Sequence, residues 1–191
     1  MADFFRILFT TSYGLIILVN VVIYFIPEFG LANRNTLEAI GANNGVLIRS
    51  GEYWRLISSQ FLHANLLHLF FNMYFIYSIG DVLVEYFDRL IPGNPNVNFL
   101  LIYIFAGVCG GLASGFLGQS FSIGASGAVF GLLGALLIVA FKTQNSELQS
   151  MVFGNLVINF IFGLSVPRID MLAHGGGFVG GMLITYLFML I

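Results

Sequence analysis

The chain has 191 residues, 58% of them hydrophobic and only 8% charged, with a mean hydropathy of +0.93. An average soluble domain is about 25% charged, so this chain cannot coat a globule with polar surface and part of its solvent must be lipid. A net charge of −2 with no run of Lys or Arg excludes a nucleic-acid partner, and a single cysteine, Cys109, excludes an internal disulfide framework.

The expected architecture is all-α, a polytopic membrane bundle of six apolar helices. The first run is Ile7 to Ile26, closed by Pro27. It is longer than the core of a secretory signal and no A-x-A-like site follows it, so it reads as a retained membrane helix. The connection Glu28 to His63 is long and carries "GEYWRLISSQFLH". There Tyr53, Trp54, Ile57 and Phe61 fall near helical spacing beside Glu52 and Arg55. This reads as an interfacial amphipathic piece, with Trp54 and Tyr53 at headgroup level and Arg55 snorkelling towards it. Further spans follow at Ala64 to Val84, Val97 to Leu117, Ser126 to Phe141, Leu148 to Val166 and Ala173 to Ile191. All four prolines fall between spans, where a missing N–H costs a helix nothing. Basic residues are balanced between the two sides, so charge alone assigns no orientation. Absence of a sequence repeat gives an inverted-repeat transporter no support.

Polar residues inside apolar spans are expensive and are the informative ones. They are His63, His68 and Asn72 near the start of the second span, Ser126 at the start of the fourth and His174 at the start of the sixth. In an up-and-down bundle these starts share one side of the membrane. His68 and Asn72 are four apart and share a helix face. They read either as donors to a developing oxyanion or as interhelical glue. His63 would sit about 140° around a straight helix from His68, pointing elsewhere. The spacing is poor for zinc and no Cys, Asp or Glu completes a set, so no metal site is expected.

Span four is short: Ser126 to Phe141 makes about 24 Å of helix against a hydrocarbon core of about 30 Å. Ser126 therefore starts its helix below the interface, and the preceding "GQSFSIGA" must be buried in protein or line water. "GASG" lacks the second glycine and the strand–turn–helix setting of an α/β-hydrolase elbow. In isolation Ser126 reads as a small packing residue or as a nucleophile. Asp170, one turn before His174, reads as an N-cap of the sixth span rather than a triad member. Gly176/Gly180 and Gly177/Gly181 form G-x-x-x-G faces that let helices approach closely.

The ordered set of Trp54–Arg55, His63-x4-His68-x3-Asn72, Gly124-x-Ser126-Gly127 and Ala173–His174 with its glycine face resembles the rhomboid family of intramembrane serine proteases, in its bacterial six-span form. The resemblance runs along most of the chain and implies one membrane domain over residues 1–191. It implies a Ser126–His174 dyad with no third acid, and an oxyanion hole of His68, Asn72 and the Ser126 backbone N–H. Supporting positions would be Gly124, Phe130 stacked on the histidine, Trp54 and Arg55 in the first loop, and Gly177 and Gly181 at a helix crossing. The implied partners are transmembrane protein substrates and the lipid bilayer. No metal, cofactor or obligate protein partner is implied. The implied place is a bacterial inner membrane with the N-terminus in the cytosol. The alternative is an inactive rhomboid-like protein that binds membrane clients. One position departs from the family pattern: relatives often carry a glutamate four residues after the glycine late in span two, where Gly80 is followed instead by Val84 and then Glu85.

Overall fold

The computed structural model describes residues 2–27, 29–118, 121–165 and 169–191. Among them the only regular structure is helical, apart from one isolated bridge between Asn43 and Ser122. Glu28, which opens the first long connection, lies outside the described residues, as do Gln119 and Ser120 of "GQSFSIGA", Val166 at the end of the expected fifth span, and Pro167 and Arg168.

The expected first span is two helices, α1 (Ala2–Thr10) and α2 (Ser12–Phe25). Thr11 divides them. Its hydroxyl donates to the Ile7 carbonyl at 2.8 Å and accepts from the Gly14 N–H at 3.1 Å, which caps α2. Gly14 turns towards the end of α1: a Cβ there would lie 2.1 Å from the Ile7 carbonyl oxygen. The polar triplet Thr10–Ser12 marks this bend between two apolar arms, which a window the length of a membrane span averages away.

The first connection folds into α3 (Arg34–Gly41), α4 (Gly45–Arg49), α5 (Arg55–Ser58) and a 3₁₀ turn at Ser59–Phe61. Tyr53, Trp54 and Ile57 are exposed, as an interfacial surface requires. Arg55 is not at that surface. It is 5% exposed, pairs with Glu52 at 2.6 Å, and donates to the Ala42 carbonyl at 3.0 Å. The expected snorkelling arginine is instead the internal tie of the loop. A guanidinium with a carboxylate and a carbonyl to bond has no need of the headgroup layer.

The remaining helices overlap the other expected stretches: α6 (Leu66–Leu90), which runs past the expected end at Val84, α7 (Pro95–Leu117), α8 (Ser126–Lys142), α9 (Ser146–Ser165) and α10 (Met171–Phe188). By length and apolarity α6, α7 and α10 are each able to cross a membrane, while α2 and α8 are shorter apolar helices. Helix α8 is apolar all round and lies at the centre, with Leu132, Leu133, Leu136 and Val139 fully buried. Its neighbours are α6, α7, α9 and α10. Large side chains such as Phe70, Phe71 and Tyr74 on α6 face outward, the reverse of a soluble protein and the arrangement lipid favours.

Helices α2 and α6 meet at Gly80, where an added Cβ would strike the Tyr13 ring at 2.5 Å. The Tyr13 hydroxyl bonds to Asp81. Glu85, left without a role by its spacing, pairs with Arg89 on an exposed surface. The carboxylate that ties α6 to α2 is therefore Asp81, immediately after the glycine.

Candidate active site

The loop before α8 is anchored from the first connection. Asn43 and Ser122 exchange backbone hydrogen bonds of 2.9 and 3.0 Å, and the Gly124 N–H donates to the Ser59 carbonyl at 2.9 Å. Asn43 is itself fixed by its side-chain amide on the Gly111 carbonyl of α7. These bonds satisfy backbone groups of the loop within the protein, as burial requires.

The loop delivers Ser126 as the first residue of α8, half-buried, on the wall of a small polar cavity with Asn43, Ser59, Gln60 and Ser122. Helices α2, α6, α7 and α10 begin on a side chain that accepts from their first turn, namely Thr11, Asn65, Asn94 and Asp170. Helix α8 begins after Ala125, which has no such group. The first N–H groups of α8, that of Ser126 included, thus receive no side-chain cap, and the positive end of the helix dipole favours an anion beside them.

His174 stands in the first turn of α10. Its ring stacks on Phe130, one turn after Ser126, with centroids 4.1 Å apart and planes 11° from parallel. The two helices meet backbone to backbone. A Cβ on Gly177 would lie 1.9 Å from the Gly127 carbonyl oxygen, and one on Gly181 would lie 1.9 Å from that of Gly131. Ala173 is held against the same stretch, its carbonyl oxygen 3.3 Å from a Cβ placed on Gly127. Ser126 and His174 thus flank one crossing. Their side chains share no hydrogen bond among the described residues, and His174 Nδ1 is buried without a partner. Catalytic hydrogen bonds are often long in the free protein and tighten with substrate bound.

His68 reaches the loop from α6. A Cβ on Gly124 would lie 2.6 Å from His68 Cε1 and 2.8 Å from Nε2, and Gly124 has a φ of +127°. Asn72 is buried one turn further on and donates one N–H to the His68 carbonyl at 2.8 Å, leaving a second N–H. His63 does not point away, as helical geometry implied. Helix α6 starts only at Leu66, so no helical angle relates His63 to His68. His63 is 3% exposed, its Nε2 accepts from the Ala125 N–H at 3.5 Å, and its ring meets His68 edge-on at 5.0 Å. Burial, and then the neighbouring His68, push its pKa down from 6.5 to about 3, so this loop histidine is neutral.

Of the residues singled out from sequence, Ser126, Phe130, His174, His68, Gly124, Gly177 and Gly181 lie together, with Asn72 adjoining. Trp54 and Arg55 do not touch this group. They hold the first connection, Trp54 through its indole N–H on the Ile40 carbonyl at 3.1 Å. Sequence reasoning missed Asn43, Ser59 and Gln60. Their one signal was polarity within an otherwise amphipathic loop, too weak to separate a cavity wall from a solvated face. Among the described residues no group of three metal-binding side chains occurs.

Residues 50–191 match the family model described as "Rhomboid domain". The chain is 38% identical over 172 residues to the protein named Rhomboid protease GluP of Bacillus subtilis, covering 87% of this chain and 32% of that protein. It is 35% identical over 164 residues to RHOMBOID-like protein 7 of Arabidopsis thaliana, covering 83% and 50%. It is 34% identical over 163 residues to Rhomboid-like protease 1 of Toxoplasma gondii, covering 81% and 53%. The chain thus spans between about a third and a half of the length of these relatives.

Proposed function

The chain belongs to the rhomboid family, and on that premise we propose that it is an intramembrane serine endopeptidase acting on transmembrane segments of other membrane proteins. The observation that carries this reading is the α8–α10 crossing, which brings the His174-bearing turn against the Ser126-bearing turn with Phe130 under the imidazole.

In this reading residues 1–191 form one membrane domain with six crossings, made by α2, α6, α7, α8, α9 and α10. A substrate helix hides its scissile carbonyl, so the substrate is a segment that unwinds near the site. Ser126 Oγ attacks the carbonyl carbon as His174 takes its proton. The carbonyl oxygen becomes an oxyanion within reach of the Ser126 N–H, His68 and the free N–H of Asn72. The intermediate collapses, the peptide C–N bond breaks, and His174 returns the proton to the leaving amine. Water then attacks the acyl-enzyme, again through His174, and releases the new carboxyl terminus and Ser126. Phe130 holds the imidazole plane without a phenolic hydrogen bond.

The test is a Ser126→Ala variant in proteoliposomes with a labelled transmembrane substrate. Cleavage should fall to background, and a fluorophosphonate should label the wild-type serine but not that of a His174→Ala variant. Undiminished cleavage by Ser126→Ala overturns the reading.

A further inference from the structure

Asp170 caps α10 with one carboxylate oxygen only: Oδ1 accepts from the Ala173 N–H at 2.9 Å. The other oxygen, Oδ2, accepts from the Ser114 hydroxyl of α7. A serine inside a helix ordinarily returns its hydroxyl to its own backbone. Ser114 is fully buried and spends its hydroxyl on another helix, 56 residues away in sequence. The Asp170 carbonyl also accepts the His174 N–H at 3.1 Å, so Asp170 holds the histidine's turn by side chain and main chain together. That turn is wedged tightly: a Cβ on Gly110 of α7 would lie 2.6 Å from the Ala173 carbonyl oxygen.

We propose that Ser114 and Asp170 are positioning residues that clamp the first turn of α10 to α7 and so set the depth and rotation of His174 over the Ser126 turn. This rests on the protease reading above. The glycine contacts let α10 approach closely, but smooth small-residue faces resist sliding and rotation poorly. A directional, charge-assisted hydrogen bond at the end of the helix supplies the missing restraint. The clamp acts through His174 and does not touch substrate.

The test compares Ser114→Ala, Asp170→Ser, Asp170→Asn and the Ser114→Ala/Asp170→Ser double variant of the full chain in proteoliposomes. Ser in place of Asp170 keeps a cap but is too short to reach Ser114. Asn keeps the cap and offers an N–H to the Ser114 oxygen. Misplacement by about 1 Å can cost on the order of 100-fold in rate, and loss of one restraint should lower kcat by about tenfold. KM should hold within about twofold, because binding is left intact. Fluorophosphonate labelling of Ser126 should slow in parallel. The Asp170→Asn variant should retain most of the rate, and Ser114→Ala should add nothing in the Asp170→Ser background. Wild-type kcat in Ser114→Ala, additive losses in the double variant, or a loss matched by the fall in folded fraction would each overturn the clamp. A wild-type protein that neither cleaves nor is labelled overturns the protease reading, and the clamp with it.

Discussion

At Gly124 two constraints meet in one residue. Its φ lies in the region that L side chains avoid, and the space a Cβ would need is filled by the His68 ring. The glycine therefore brings the loop before Ser126 into contact with His68 of α6, the side chain proposed above as an oxyanion donor. Removing one oxyanion donor typically costs about 100- to 1000-fold in kcat. His68→Ala and Asn72→Ala should each fall in or near that range in steady-state cleavage, with thermal unfolding little changed. His63 carries a different expectation. It faces the His68 ring and the Ala125 amide, while its carbonyl accepts from the Arg34 guanidinium. The unfolded chain protonates His63 near 6.5, whereas the folded protein resists protonation down to about 3. Between those values the unfolded state binds more protons, so stability is full above the window and falls as pH drops through it. Thermal midpoints measured from pH 7 to pH 5 should decline, and a His63→Gln variant should show a flatter slope.

At the scale of helices, the α8–α10 crossing is the decisive element. Four glycines, Gly127, Gly131, Gly177 and Gly181, allow main chain to meet main chain, so no side chain separates the Ser126 turn from the His174 turn. Gly181→Val should force the pair apart. Overpacking of cores costs typically about 1–3 kcal/mol, and more is expected where the obstacle is backbone. The measurement is thermal unfolding together with fluorophosphonate labelling, both of which should fall. Gly175 belongs to the same run in sequence but faces open space, so Gly175→Ala should keep both. The contrast separates glycines that permit an approach from one that merely lies beside them. The same logic explains why α8 is apolar on every face: it is the helix that the others surround.

For the whole molecule, the first connection acts as a brace rather than a linker. It rests exposed aromatic residues at the surface, buries the Arg55–Glu52 pair, and clasps the loop before α8 through Asn43 and Ser59. The helical class and the approximate places of helices α6 to α10 were legible in the sequence, where Ser126, His174, His68 and Asn72 stand out as polar groups in or beside apolar runs. Lipid makes polar groups costly, so the few that persist in apolar runs stand out. The N-cap role of Asp170 was legible too, because capping depends on residues a turn apart. What depended on partners distant in the chain was not. The bend at Thr11 is the exception, for its partners Ile7 and Gly14 are local and the polar triplet Thr10–Ser12 marks it. The inward turn of Arg55 depends on the Ala42 carbonyl, and that of His63 on the Ala125 amide. The Ser114 hydroxyl finds Asp170 only when α7 and α10 lie side by side. Sequence by itself determined which groups are too polar for their surroundings, since that follows from composition and short-range periodicity. Tertiary structure alone decided which of them face one another, because a hydrogen bond is directional and its partner is chosen by the packing of helices.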